Sequence, residues 1–562
     1  MDEGGVNYAS PRNVTQVRQT VYCVPIPGET PWVRATRAAS ATAAGLSGPA
    51  VQQAATTRKP KRGMDTSDDE DEDEAAAAGG GGAAATGGAA AAAIAPTTPT
   101  TTASAAPDKK TKLGSTASGA GGAAQINMNF PLPGETGPAV MVKLYDEPTS
   151  PKLNQMMEYV GVYEIGQDVA SDADFSDDRF GLEEEIRAHN PPASLIPRLH
   201  CIASRPVTEA NPLVPNPMPA ALVTQVHAAA KTLKERLRQW LTTVTGAGPM
   251  VVEFVILHLL ARVRQRMDGN TMVLGKMSIN IFGFKAENSK AMSNLMMVME
   301  SLLVKMHVLP MTLETLNMRR FVPQKDPNSN RLWTGVLQLT PETELVLNET
   351  AMLPGQLNPT GVKNLTSLGH LLRDQAVTYE FPFAPLPPFE TDIPILVLSE
   401  GKSLLPADVH VPFVAAATPA ALAVPPALLS ELRVYLTVVR KIEVDIEQPV
   451  AEVIEKDFVA MRQANPKDVQ AETLHNLLVL SRLMSMSKGE AKLSAESWRE
   501  TCQLEDTRMK AMPPVPAGAA AAAAAAAGGG GGAAAATTTT TTTLQTAAAA
   551  APVAATPAVK AM

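Results

Sequence analysis

The spacing in this sequence that most resembles working chemistry is that of a phosphate loop. A strand-like run, Lys276-Met-Ser-Ile-Asn-Ile-Phe282, leads into Gly283-Phe-Lys-Ala-Glu-Asn-Ser-Lys290 and then a Met-rich helical stretch at 291–306. A strand–loop–helix that cradles phosphate needs G-x-x-x-x-G-K-[ST]. Its backbone N–H groups wrap the anion, and its lysine reaches the β/γ oxygens. Counted from Gly283, the second glycine falls on Asn288, the lysine on Ser289 and the Ser/Thr on Lys290, so all three depart. The magnesium-holding strand needs a terminal Asp. Here Leu345-Val-Leu347 ends in Asn348-Glu349, and a neutral Asn is a poor partner for a dication. Gly401-Lys402-Ser403 lacks a leading glycine, because that position is Leu396, and reads as a tight turn with an exposed lysine. The expectation is a degenerate nucleotide site: no catalytic residues, no cofactor, no metal, and a protein that is not an enzyme.

Other reactive side chains form no recognisable set. His189, His200, His227, His258, His307, His370, His410 and His475 show no metal-ligand spacing, and no Ser/His/Asp arrangement stands out. His258, on an apolar helix, is expected as a hydrogen-bonded core histidine. Met292, Met296, Met297, Met299 and Met306 are expected as adaptable core packing. Cys23, Cys201 and Cys502 lie too far apart for a disulfide scaffold or a zinc ribbon and fit a reducing compartment. Arg58, Lys59, Lys61 and Arg62 form a short basic cluster that reads as a nuclear-import signal or a nucleic-acid patch, against a plain solvated charge run. Ser67, followed by Asp68-Asp69-Glu70, suits an acid-directed kinase.

The elements that would position these residues follow from composition and period. The 562 residues allow two to four domains. Residues 35–126 and 512–562 are runs of Ala, Gly, Thr and Pro without one Phe, Tyr or Trp. Such segments cannot offset a backbone ordering cost of roughly 1–2 kcal/mol per residue, and are expected to be a disordered insertion and tail. Residues 1–34 are expected to join the β-rich domain at 127–210, which alternates in strand fashion (Val140, Val142 and Leu144 against Met141, Lys143 and Tyr145) and suggests an OB-like small β-barrel. Pro25-Ile-Pro-Gly-Glu-Thr30 returns as Pro131-Leu-Pro-Gly-Glu-Thr136, which a shared turn type explains. Residues 211–427 alternate strands and helices, so a parallel α/β sheet is expected, in the order of an AAA+ domain with a degenerate site. Residues 428–511 are helical and lid-like, with Ser494 as an N-cap ahead of Trp498.

Charge narrows the partners. Residues 127–210 hold 6 Lys and Arg against 14 Asp and Glu, which equals the whole net charge of −8. That field repels phosphate, so single-stranded DNA binding by the barrel is disfavoured and docking of a basic protein is preferred. The longest apolar helical run, Val251–Val263, contains Glu253 and His258 and is too short for a membrane span.

Several phrases together resemble one family. Asn7-Tyr-Ala-Ser-Pro-Arg-Asn13 followed by Thr20-Val-Tyr-Cys-Val-Pro-Ile-Pro-Gly-Glu-Thr30 is similar to the mini-chromosome maintenance (MCM) complex-binding family. So are Asn129-Phe-Pro-Leu-Pro-Gly-Glu135, Pro191-Pro-Ala-Ser-Leu-Ile-Pro-Arg198, Phe321-Val-Pro-Gln-Lys-Asp326 with Asn330-Arg331-Leu332, Gly355-Gln-Leu357, and Glu400-Gly-Lys-Ser-Leu-Leu-Pro-Ala-Asp408. The resemblance covers 1–34 and about 127–511. It implies a nuclear, non-enzymatic partner of MCM replicative helicase subunits. Helicase assembly or unloading, DNA replication, the cell cycle and sister-chromatid cohesion are the implied processes, with chromatin association indirect. Family members are expected to carry a further region ahead of the Asn7–Asn13 phrase, which this sequence lacks.

Overall fold

The computed structural model describes residues 19–43, 128–135, 137–145, 151–164, 195–266, 273–382, 386–421, 424–464 and 471–513, with the isolated positions 189, 191, 193 and 469. The basic cluster Arg58, Lys59, Lys61 and Arg62, Ser67 and the tail from 514 lie outside them.

Strand β1 (Gln19–Cys23) and helix α1 (Pro31–Ala43) precede the insertion; β2 (Val140–Leu144), β3 (Met157–Glu164) and β4 (Arg198–Pro206) follow it. They pair as a four-stranded sheet in the order β1-β2-β4-β3. β1 is antiparallel to β2, β2 parallel to β4, and β4 antiparallel to β3. The expected OB-like barrel is not what the described strands form: the sheet is open, with β1 and β3 as edges. Val142 and Leu144 are buried on one side, and Met141 is buried on the other. The predicted acidity divides unevenly. Asp146, Glu147 and the acids of 165–188 lie outside the described residues, while Glu135, Glu158, Glu164 and Glu209 in the described part are matched by Lys143, Lys152, Arg198 and Arg205.

The insertion does not begin at 35, because α1 continues to Ala43. Its first turn is anchored from outside: the Trp32 indole N–H donates to the Leu303 carbonyl at 2.8 Å, Arg433 lies 3.8 Å from the Trp32 ring centre, and Val33 is buried. Once nucleated, an Ala-rich run propagates readily.

From 220 onward the chain forms α2 (Ala220–Thr245), α3 (Pro249–Leu260), a small ribbon of β5 (Gln265–Arg266) and β6 (Val273–Leu274), then β7 (Ile279–Phe282) and α4 (Ser289–Leu302). β8 (Met306–Pro310), α5 (Leu313–Met318), the hairpin β9 (Gln324–Asp326) and β10 (Arg331–Trp333), and β11 (Glu344–Asn348) follow. Next come α6 (Pro359–Asp374), the ribbon β12 (Ala376–Val377) and β13 (Phe389–Glu390), β14 (Ile395–Ser399) and β15 (Val409–Pro412). The last elements are α7 (Pro426–Val439), α8 (Gln448–Ala464), α9 (Ala471–Ser487) and α10 (Ala495–Ala511). Ser494 caps α10 as expected, accepting from the Ser497 N–H at 3.1 Å.

Five strands make the expected parallel sheet, in the order β15-β7-β14-β11-β8. Side chains alternate between two cores. Ile279, Ile281, Val346, Leu396, Leu398 and Val411 join the core formed with α2, α3, α4, α7 and α9. Leu345, Leu347, Ile395 and Val397 join Leu316, Phe321, Leu368 and Leu371 on the other face. The helices expected as a lid therefore reach the first core, through Leu432, Tyr435, Leu436, Leu480 and Leu483. Met299 is fully buried there with Met292, Met296 and Met306 packed against it, while Met297 is exposed.

α3 is buried at every position but Pro249 and Glu253. It carries His258, whose Nδ1 lies 3.1 Å from the Met277 carbonyl and whose Nε2 lies 2.7 Å from Glu344 Oε1. A carbonyl only accepts, so Nδ1 donates to it, and Nε2 faces the carboxylate. Both side chains are 1% exposed, and a buried carboxylate needs such a partner.

The small sheet is joined to the large one at residues 28–30. The Met306 N–H donates to the Gly28 carbonyl at 2.8 Å, and the buried Thr30 hydroxyl lies 2.8 and 3.0 Å from the Leu303 and Val304 carbonyls. Next to them Lys305 is buried, its Nζ donating to Thr340 Oγ1 at 3.0 Å, and burial pushes its pKa down to about 8. Thr30→Val removes the hydroxyl, while the Leu303 carbonyl keeps the Trp32 indole N–H and the Val304 carbonyl keeps the Thr30 backbone N–H. We expect a loss of about 0.5–1.5 kcal/mol in equilibrium chemical denaturation, most of it recovered in Thr30→Ser.

Candidate functional site

In open parallel sheets, ligands bind outside the carboxyl ends of the strands. At this edge β7 ends in Gly283, at φ 102°, a conformation that favours glycine. The loop that follows is closed against the protein. The N–H groups of Gly283 and Phe284 donate to the Ser399 carbonyl at 3.0 and 3.2 Å. The Lys285 N–H donates to the Gly283 carbonyl at 3.0 Å, and that of Asn288 to the Lys285 carbonyl at 2.9 Å. Asn288 Nδ2 also donates to the Gly283 carbonyl, at 3.3 Å. Phe284 points inward, its ring centre 4.6 Å from that of Phe413. Donors that a phosphate loop would turn toward its anion are here given to carbonyls of the chain. Ser289 and Lys290 open α4 on the exposed side.

β11 delivers Asn348 and Glu349 to the same edge, with β14 lying between it and β7. Asn348 Oδ1 accepts from the Thr350 N–H at 3.1 Å and its hydroxyl at 2.7 Å, capping the short turn Glu349–Ala351. Glu349 Oε1 accepts from the Ser403 hydroxyl at 2.9 Å and the Leu404 N–H at 3.3 Å. Burial holds its carboxyl above the usual carboxylate range. Two motif fragments far apart in sequence thus meet as Glu349–Ser403, while Gly401 and Lys402 are exposed, as a turn with a solvated lysine requires. Gly283 and Asn288 are also brought together.

Sequence reasoning missed a polar stripe across β14, β7 and β15, in which Ser399 and Asn280 are buried and His410 is half-buried. Ser399 Oγ donates to Asn280 Oδ1 at 2.9 Å, and Asn280 Nδ2 donates to His410 Nδ1 at 3.3 Å. Burial, then Arg508 and Lys402, keep His410 below the usual histidine range. The available signal was a polar residue inside each apolar run: Ile-Asn280-Ile, Val-Leu-Ser399 and Val-His410-Val. A satisfied, largely buried network of this kind fixes strand register. A cavity of about 580 Å³ lies elsewhere, beside α2, α3, α9 and α10, with Lys234, Glu253, Lys488 and Glu500 in its wall.

Glu349 allows a pH test. Its folded-state pKa is raised, so its contribution to stability is complete below the ordinary value of 4.5 and is lost as pH rises through the folded value. Glu349→Gln keeps the acceptor oxygen and copies the protonated form. The variant should be at least as stable as the parent at pH 7, with any advantage shrinking toward pH 4, as read from paired denaturation midpoints.

Comparison with known proteins places this geometry in a family. A family model described as mini-chromosome maintenance replisome factor matches residues 2–512. The mini-chromosome maintenance complex-binding protein of Danio rerio is 35% identical over 526 residues, covering 90% of this chain and 81% of the relative. That of Homo sapiens is 33% identical over 523 residues, covering 89% and 79%. That of Drosophila melanogaster is 33% identical over 401 residues, covering 69% and 66%. A match that runs from the second residue to the end of the last described helix spans both sheets and all the helices that cover them, and the chain belongs to the mini-chromosome maintenance replisome factor family.

Proposed function

We propose that this protein binds subunits of the MCM complex and acts in DNA replication as a non-enzymatic nuclear regulator. On this reading it affects helicase assembly or unloading and, through it, sister-chromatid cohesion. Its chromatin association is indirect, through protein contacts, and direct DNA binding is not part of the role.

The observation that carries the proposal is the collinear match to MCM complex-binding proteins over about nine-tenths of the chain. The site geometry supports the non-enzymatic part. Three of the phosphate-loop positions are substituted, the N–H groups of Gly283, Phe284, Lys285 and Asn288 donate within the chain, and Asn348 caps a turn. The sheet supports an AAA+-like reading: numbered by sequence, its parallel strands lie in the order 5-1-4-3-2, with the Gly283 turn after the first and Asn348-Glu349 after the third. A subunit-shaped protein without a nucleotide cycle can dock on a helicase subunit and leave without hydrolysis.

The test is affinity purification of the tagged full-length chain with identification of what accompanies it, beside calorimetry with Mg·ATP. MCM subunits should co-purify, and no saturable heat should appear up to millimolar nucleotide. Absence of MCM subunits would remove the partner. Micromolar Mg·ATP binding would overturn the non-enzymatic part and favour an active AAA+ ATPase.

A further inference from the structure

A ladder of arginines and aromatic rings stands on the surface where the long insertion rejoins the fold. Arg320 and Arg331 lie 5.8 and 5.5 Å from the ring centre of Trp333, and Arg331 lies 5.1 Å from that of Tyr22. Arg319, beside them, is exposed, as is Arg320. No carboxylate ion pair holds Arg319, Arg320 or Arg331 among the described residues. Asp326, the nearby acid, is occupied within its own turn, accepting from the Ser329 hydroxyl at 2.6 Å and the Trp333 indole N–H at 3.3 Å.

Stacking decides what this surface can take. Guanidinium groups lie against the rings, so recognition runs through the N–H edges of the arginines, which pair with oxyanions, rather than through open rings that would stack bases. The returning chain is fixed at this spot. The Tyr22 hydroxyl donates to the Met128 carbonyl at 2.7 Å, and Asn129 bonds the β10 strand through Leu332 and Thr334 at 3.1 and 2.8 Å. The segment that arrives there carries Asp65 and the unbroken acidic run Asp68–Glu74, which outnumber the cations Arg58, Lys59, Lys61 and Arg62 just ahead of them. As free chain, the 53 residues 75–127 would span roughly 40 Å root-mean-square, which permits return to the ladder. Tethering sets an effective concentration on the order of millimolar.

From these observations we infer that the acidic run Asp65–Glu74 docks in cis on the Arg319–Arg320–Arg331 face and shields it from other anionic partners. The probe is a fluorescent peptide of residues 64–76, titrated by anisotropy onto the full-length chain. One version keeps its acidic run; in the other, every Asp and Glu of 65–74 is replaced by its amide. The amide chain should bind the peptide about tenfold or more tighter than the parent, more weakly as salt rises. Arg319→Gln with Arg320→Gln, both at exposed positions, should remove that binding. Arg331→Gln should do so too, with its fold checked by circular dichroism. Equal affinity for both chains, or indifference to the arginine changes, overturns the proposal. A single-stranded oligonucleotide that displaces the peptide at equal charge gives the face to nucleic acid instead. Self-association that disappears with the amide substitutions gives it to a second copy, and either result also overturns docking in cis.

Discussion

A parallel sheet cannot be left wet on either face, and that constraint organises this molecule. All five residues of β14 are buried, so helices must cover both sides, and strand side chains alternate between two separate cores. The edges need closing as well. β8 is met at its start by Gly28 and Glu29 of the N-terminal sheet, and β15 is met by Arg508 of α10, whose guanidinium donates to the His410 carbonyl at 2.7 Å. The N-terminal sheet and the last helix are thereby parts of one enclosure around the same strands. Several polar side chains trapped inside it pair with one another: His258 with Glu344, Lys305 with Thr340, Asn280 with Ser399.

The turn after β7 shows how a position suited to a ligand becomes a joint. Its positive-φ glycine remains, and so does the strand–loop–helix order. What differs is where the donors point. With two N–H groups on the Ser399 carbonyl and Phe284 packed on Phe413, the loop ties β7 to β14 and to the segment after β15. Glu349 has a comparable position at the end of β11, held by Ser403 rather than directed at a substrate. The same backbone thus serves rigidity at the edge where open parallel sheets commonly bind ligands.

Much of this was legible in the sequence, for physical reasons. Helical period exposed α2, the all-round apolarity of 250–260 exposed α3, and apolar runs bounded by polar residues located β7, β11 and β14. The turn phrase at 25–30 and 131–136 signalled a shared turn type, and both copies carry a positive-φ glycine, Gly28 and Gly134. It could not foretell that the turns touch, the Gly28 N–H donating to Glu135 Oε1 at 2.8 Å. β15 was missed because four residues containing His and Pro carry no period of their own. The helical reach of α1 was missed because Ala and Thr show no stripe, and its anchor, the Leu303 carbonyl, lies 271 residues away. The described strands form an open sheet, and the expected barrel lay beyond what the pattern could decide: alternation reports that a strand has two faces, not whether its sheet closes.

The strand order has a consequence for synthesis. β7 lies between β14 and β15, both made long after it, and its pairing of Ile279 with Leu396 and Val409 must wait for them. At about 5–20 residues per second, roughly 6–25 seconds pass between the emergence of β7 and that of β14. Through that interval α3 and β7, among the most apolar segments of the chain, have no completed sheet to cover. The nascent protein therefore passes through a window of exposed strand edges before its centre can close, and its yield in a cell depends on what shelters it there.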